Sequence, residues 1–176
     1  VVKMAKIDWY ITGAGGQAVI EQGGSKRCQL SGSKLMLWNG RNNLVNSEVI
    51  ASILMAVDTN TRGGLVLRSD LSNNNCYRLR ILGQRTYYVQ KVVSGVVTTL
   101  STAYSLQPYN IFVKTRFRVD GYQLSVEEYI SGAWTLVTVI IDTEQSILLG
   151  YAGLYGESIN TSYSLLFDDI QISEGI

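Results

Sequence analysis

The side chains best suited to chemistry lie between Phe112 and Trp134. Lys114, Arg116 and Arg118 alternate with Val113, Thr115, Phe117 and Val119, so an extended strand places three cations on one face. Guanidinium groups in such a row suit bidentate contact with carboxylates or sulfates. Phe112, Tyr129 and Trp134 end the row with rings suited to stacking on sugar C–H faces or on a protein surface. A second pair, Arg78 and Arg80, alternates with Tyr77, Leu79 and Ile81; with Arg68 it is expected to join the first row on the same sheet. The competing reading is a solvated face with cross-strand charge pairs such as Lys114 with Glu127, each contributing about 0.2–1 kcal/mol.

The acidic residues do not form an evident catalytic pair. Glu127 and Glu128 are adjacent, as are Asp168 and Asp169, and adjacent strand residues point to opposite faces. Asp142 and Glu144 flank an apparent loop. Glu128 falls on the apolar face opposite Val113, where an ionised carboxylate is costly unless it is paired or near a strand end. A raised pKa there would suit a general acid, whereas an edge position or a register slip explains it more simply. Histidine is absent, which removes the commonest general base and transition-metal ligand. Cys28 and Cys76 lack CxxC spacing; two buried thiols or one disulfide both fit.

These groups must be carried by a sheet. Asp120-Gly121 between alternating runs reads as a two-residue hairpin turn. It pairs Val119 with Tyr122, Phe117 with Leu124 and Thr115 with Val126 on the apolar face, and Arg118 with Gln123, Arg116 with Ser125 and Lys114 with Glu127 on the polar face. Ser131-Gly132 closes a second hairpin that brings Trp134 beside Tyr129, itself beside Phe112, with Val126 meeting Val137 and Leu124 meeting Val139. Strands are expected near 7–12, 17–22, 27–31, 34–38, 48–58, 63–69, 76–82, 86–93, 96–101, 110–119, 122–130, 134–141, 147–155 and 163–173. Residues 47–57 also fit an amphipathic helix capped by Ser47. Strand is preferred because the run after Gly63-Gly64 needs an antiparallel neighbour.

At 176 residues the chain is read as a single domain, 1–176, with one proline and no linker-like stretch. Hydrophobic residues make up 46% and charged residues 16%, which excludes a disordered chain. Fifteen basic against fourteen acidic residues give no global pull toward nucleic acid or an anionic bilayer. No apolar run is long enough to span a membrane, and Val1 to Lys6 lacks a signal-type apolar core, so neither membrane insertion nor nucleic-acid binding is expected.

The succession Gly64-Leu65-Val66-Leu67-Arg68, Tyr77-Arg78-Leu79-Arg80-Ile81, Val113 to Gly121, Gly150 to Gly156 and Phe167-Asp168-Asp169-Ile170-Gln171-Ile172 resembles the concanavalin A-like lectin and glucanase superfamily, including laminin G-like jelly rolls. The G-x-x-G-L strand before an F-D-D-hydrophobic strand carries most of the likeness. It covers about 7–173 and implies an all-β, two-sheet antiparallel jelly-roll sandwich, with ligands on a concave face or its rim. Glycosidases of this superfamily carry an E-x-D-x-E run, which this chain lacks. The resemblance also implies that no cofactor is required but that calcium is possible near the last strand, with Asp168 the residue to watch. Asn73-Asn74-Asn75 fits either a loop site or simple turn chemistry.

The leading expectation is therefore a non-catalytic attachment module that binds glycan or a protein surface, extracellular or on a virion appendage. The alternative is a structural virion subunit, such as a capsid or tail decoration protein, that self-assembles or joins a larger particle. A glycoside hydrolase using Glu127 or Asp142 ranks lower.

Overall fold

Period-two alternation of apolar and polar residues governs almost every element. The structure, a computed structural model, describes residues 2–3, 9–12, 17–22, 25–31, 33–38, 42–54, 62–82, 85–144, 146–157 and 164–174. The strands are β1 (Val2–Lys3), β2 (Trp9–Thr12), β3 (Gln17–Gln22), β4 (Ser25–Ser31) and β5 (Ser33–Trp38). They continue as β6 (Ser47–Leu54), β7 (Arg62–Ser69), β8 (Cys76–Leu82), β9 (Thr86–Val93) and β10 (Val96–Tyr104). The last are β11 (Phe112–Asp120), β12 (Gln123–Ile130), β13 (Ala133–Ile141), β14 (Tyr151–Glu157) and β15 (Ser164–Glu174). No helix occurs among the described residues. The expected strand portions at 7–8, 55–58 and 163 lie outside them.

Two antiparallel sheets form the sandwich. One has eight strands in the order β13-β12-β11-β6-β15-β4-β3, with β1 also on β15; the other has seven, β10-β9-β8-β7-β14-β5-β2. Their inner faces bury Val49, Ala51, Ile53, Phe117, Leu124 and Phe167 from the first sheet against Leu65, Leu67, Tyr77, Leu79, Tyr87 and Leu154 from the second. Removing such side chains from water is the main favourable contribution to folding. The outer face of the seven-stranded sheet has its own apolar cluster of Leu35, Leu37, Val66, Cys76, Val92 and Tyr155.

Residues 47–54 form a strand, but not for the expected reason. β6 lies between β11 and β15, while β7 belongs to the opposite sheet. Residues 147–150 precede β14 rather than form part of it; Gly150 makes an isolated bridge to Leu44.

The first hairpin is shifted from its expected register by two residues. Asp120 pairs with Gln123, Val119 with Leu124, Phe117 with Val126 and Arg116 with Glu127. Gly121 has φ 55° and leads the two-residue loop, as in a type II′ turn, instead of following Asp120 as in type I′. A shift by an even number keeps each side chain on its expected face.

The second hairpin starts as expected, with Ile130 opposite Ala133 and Tyr129 opposite Trp134. Ser131 and Gly132 both have positive φ (51° and 91°). A bulge beside Val126 then absorbs Val137, so Val126 meets Thr138 and Leu124 meets Ile140. This corrects the expected partners Val137 and Val139.

At one end of the sandwich the buried Arg68 holds three connections together. Its Nε donates to the Val45 carbonyl at 2.8 Å, Nη1 to Ile147 at 2.9 Å and Nη2 to Gly121 at 2.8 Å. This removes Arg68 from the expected outward basic row.

Candidate functional site

On the outer face of the eight-stranded sheet, β11, β12 and β13 gather Lys114, Arg116, Tyr129 and Trp134. Cross-strand pairing of Tyr129 with Trp134 sets their rings edge to face, with centroids 5.3 Å apart and planes at 66°. The Arg116 guanidinium carbon lies 4.4 Å from the Trp134 ring centroid, and Lys114 Nζ is 5.4 Å from that of Tyr129. The register shift therefore puts Lys114, not Phe112, beside Tyr129. Phe112 pairs with Leu54 of β6.

Carboxylates answer two of the cations in this row. Arg116 binds Glu127 and has Glu48 3.9 Å away; Arg118 Nη2 lies 3.2 Å from Asp120. Tyr129 keeps 43% of its surface exposed. This group offers exposed tyrosine ring surface with oriented cations beside it, an arrangement suited to sugar stacking and hydroxyl hydrogen bonding.

Arg78 and Arg80 are on the other sheet, which corrects their expected grouping with the first row. Alternation turns them outward but does not specify the layer. Arg78 Nε donates to Gln90 at 2.9 Å and its guanidinium lies over Tyr155 at 5.4 Å. Arg80 Nε donates to Glu157 at 2.8 Å and stacks over Tyr88 at 5.7 Å.

The acidic candidates are dispersed. Glu127 is on the outer face with Arg116, whereas Asp142 is buried and bound to Lys91 Nζ at 3.0 Å and Tyr77 OH at 2.7 Å. They do not flank a common bond. Burial alone would raise the Asp142 carboxyl, but hydrogen bonds from Tyr77 and Lys91 hold it below the ordinary value. Lys91 is raised by its bond to Glu144, against the effect of burial, with Asp142 adding to the rise.

Glu128 is fully buried, neither at an edge nor exposed by a slip to the other face. It pairs with Thr115 rather than lying opposite Val113. Its oxygens accept from Tyr87 OH at 2.7 Å and Leu106 N at 3.0 Å. Burial, followed by the Glu128 charge, pushes the Tyr87 phenol well above its usual value.

Asp168 pairs with Ser52 just before a bulge in β15 and accepts from Asp169 N at 2.9 Å. Among the described residues no three His, Cys, Asp or Glu side chains cluster as metal ligands do. The asparagine run performs turn chemistry: Asp70 accepts from Ser72 N, Asn74 N and Asn75 Nδ2. Both cysteines are free, Cys28 on β4 and Cys76 on β8 of the opposite sheet. Burial raises their thiols to about 11 and about 12.

Sequence reasoning did not assign roles to Gln90, Tyr155, Glu157 or Arg62, which share the Arg78–Arg80 face. The β7–β8, β8–β9 and β7–β14 pairings bring them together from distant parts of the chain.

No protein-family model matches the chain, and no curated protein resembles it in sequence. Solved structures do resemble it. The carbohydrate-binding module CBM66 from Bacillus subtilis superposes with TM-score 0.71 at 15% identity, covering 96% of each chain. The GH43 protein BlXynB from Bacillus licheniformis gives 0.68 at 12% identity, over 98% of this chain but 38% of that one. The exoplasmic/lumenal domain of VIP36, in a form bound to Ca2+ and Man3GlcNAc, gives 0.60 at 12% identity over 96% and 84%. Two antiparallel layers, the strand order and these superpositions identify the architecture as the concanavalin A-like jelly-roll sandwich.

Proposed function

We propose that the chain is a non-catalytic carbohydrate-binding module that works outside the cell, with Tyr129 and Trp134 as its sugar platform and Arg116 and Lys114 as its polar flank. The observation that carries this reading is the edge-to-face pair on an outer sheet face, with a cation against each ring. Aromatic planes contribute area at little entropic cost, while flanking donors select ring hydroxyls. The fold's similarity to a carbohydrate-binding module over nearly its full length agrees with this. The absence of catalysis is supported by the occupations of Glu127, Glu128 and Asp142, each engaged by a different partner set. Calcium at Asp168 remains a subsidiary proposal, checked by whether chelation changes glycan affinity.

A glycan array followed by titration calorimetry tests the platform. Trp134→Ala and Tyr129→Ala should each weaken binding about tenfold or more, equivalent to about 1.4 kcal/mol, with unchanged circular dichroism. No glycan binding by the native chain, or full binding by both folded variants, overturns the assignment. Incubation with the bound polysaccharide should release no reducing sugar; release abolished by Glu127→Gln would instead establish an enzyme.

A further inference from the structure

The two outer faces differ in how their positive charge is answered. On the eight-stranded sheet, Arg116 and Arg118 meet Glu127, Glu48 and Asp120. On the seven-stranded sheet Arg62, Arg78 and Arg80 share the outer face of β7 and β8, since Arg62 pairs with Leu82, Gly64 with Arg80 and Val66 with Arg78. Among the described residues, the carboxylate at salt-bridge distance there is Glu157, on Arg80. Arg78 instead contacts the neutral Gln90 amide and the Tyr155 ring.

Geometry prepares these cations for a ligand. Arg78 and Arg80 stand two positions apart on β8, about 7 Å along the strand. Gln90 and Glu157 hold their respective Nε atoms, which orients each guanidinium and leaves the terminal nitrogens as the fork that matches paired anionic oxygens. In the cross-strand row Tyr155–Gly64–Arg80–Tyr88, Gly64 places no side chain between the tyrosine and the arginine. Two buried polar atoms on this face, Tyr155 OH and Arg62 Nε, have no hydrogen-bond partner. Buried polar groups are nearly always partnered by protein or water, so these two atoms leave hydrogen-bonding capacity unused on this face.

We propose that this face is a second binding site, for the anionic group of an acidic glycan, either a uronate carboxylate or a sulfate ester. Arg78 is the principal recognition residue, with Arg80 and Arg62 flanking it. This site is separate from the Tyr129–Trp134 platform and does not depend on that platform binding sugar.

The test measures binding of the native chain to oligogalacturonate, dextran sulfate and unmodified dextran by calorimetry at low and moderate salt. One or both charged polymers should bind, and added salt should weaken the interaction. The carboxylate and sulfate arms identify the group recognised. Arg78→Ala should weaken that binding by about tenfold or more. Arg78→Lys, which retains charge and stem, should also weaken it because the fork is lost. Arg118→Ala on the other sheet and Trp134→Ala should leave it unchanged. Failure of both charged polymers to bind, affinity for them no greater than for dextran in Trp134→Ala, or undiminished affinity in folded Arg78→Lys and Arg80→Ala overturns the site. Loss of neutral-sugar binding in Trp134→Ala with retained acidic-polymer binding separates the two proposals.

Discussion

Arg116 lies over the indole of Trp134, its guanidinium carbon 4.4 Å from the ring centroid, while the same guanidinium engages Glu127. One side chain thus links β11 to the neighbouring carboxylate on β12 and to the ring on β13. Arg116→Ala and Trp134→Ala should each destabilise the protein. A double-mutant cycle by urea unfolding should give a coupling of about 0.5–2 kcal/mol. Additivity of the two changes would remove the ring contact as a stabilising interaction.

The buried Glu128 depends on Tyr87 for one of its donors. Tyr87→Phe preserves the ring but leaves a carboxylate oxygen short of a partner in the core. The expected loss is about 1.5–3 kcal/mol in urea unfolding. Tyr88→Phe, on the outer face, should change stability by no more than about 0.5 kcal/mol. Equal effects at the two positions would contradict this distinction.

Stability should fall on both sides of neutral pH through the Asp142–Lys91–Tyr77 group. The Asp142 carboxyl is lowered in the fold, so its contribution is complete above the unfolded value near 3.9 and is lost as pH falls through the lower folded value. Lys91 and Tyr77 are raised, so their contributions are complete below about pH 10 and decline as pH rises toward their folded values. Urea midpoints measured from pH 3 to 11 should show both limbs. Asp142→Asn should lower stability at neutral pH and flatten the acid limb.

Gly64 has φ 153°, and a Cβ there would lie 1.9 Å from the Leu79 carbonyl oxygen. Relief requires β7 and β8 to separate where Leu65 pairs with Leu79. Gly64→Ala should therefore cost about 3 kcal/mol or more in equilibrium unfolding, or prevent recovery of folded protein. A loss below about 1 kcal/mol would show that the sheet yields easily there.

The fold was legible wherever faces were set by parity. Val49, Ala51 and Ile53 alternate into the core, and Lys114 and Arg116 remain outward despite the two-residue shift of their hairpin. The turn residues could not fix that shift, because Asp120-Gly121 permits more than one placement of glycine in a tight loop. Nor could local pattern reveal which layer held Arg78 and Arg80; strand order in a sandwich is decided by contacts far apart in sequence. Glu128 was correctly placed against the apolar face, but the group that makes its burial tolerable, Tyr87, lies 41 positions away. The Tyr129–Trp134 half of the candidate platform was readable because one short turn sets that contact.

The border strands β10 and β13 carry no charged residue along their nine positions, and each is interrupted by a register irregularity. Straight, uncharged borders would serve as templates for fibre growth. The kinks at Thr99–Ser101 and opposite Val126–Glu127 deny an incoming chain a continuous ladder, a break in backbone regularity where many proteins place a lysine.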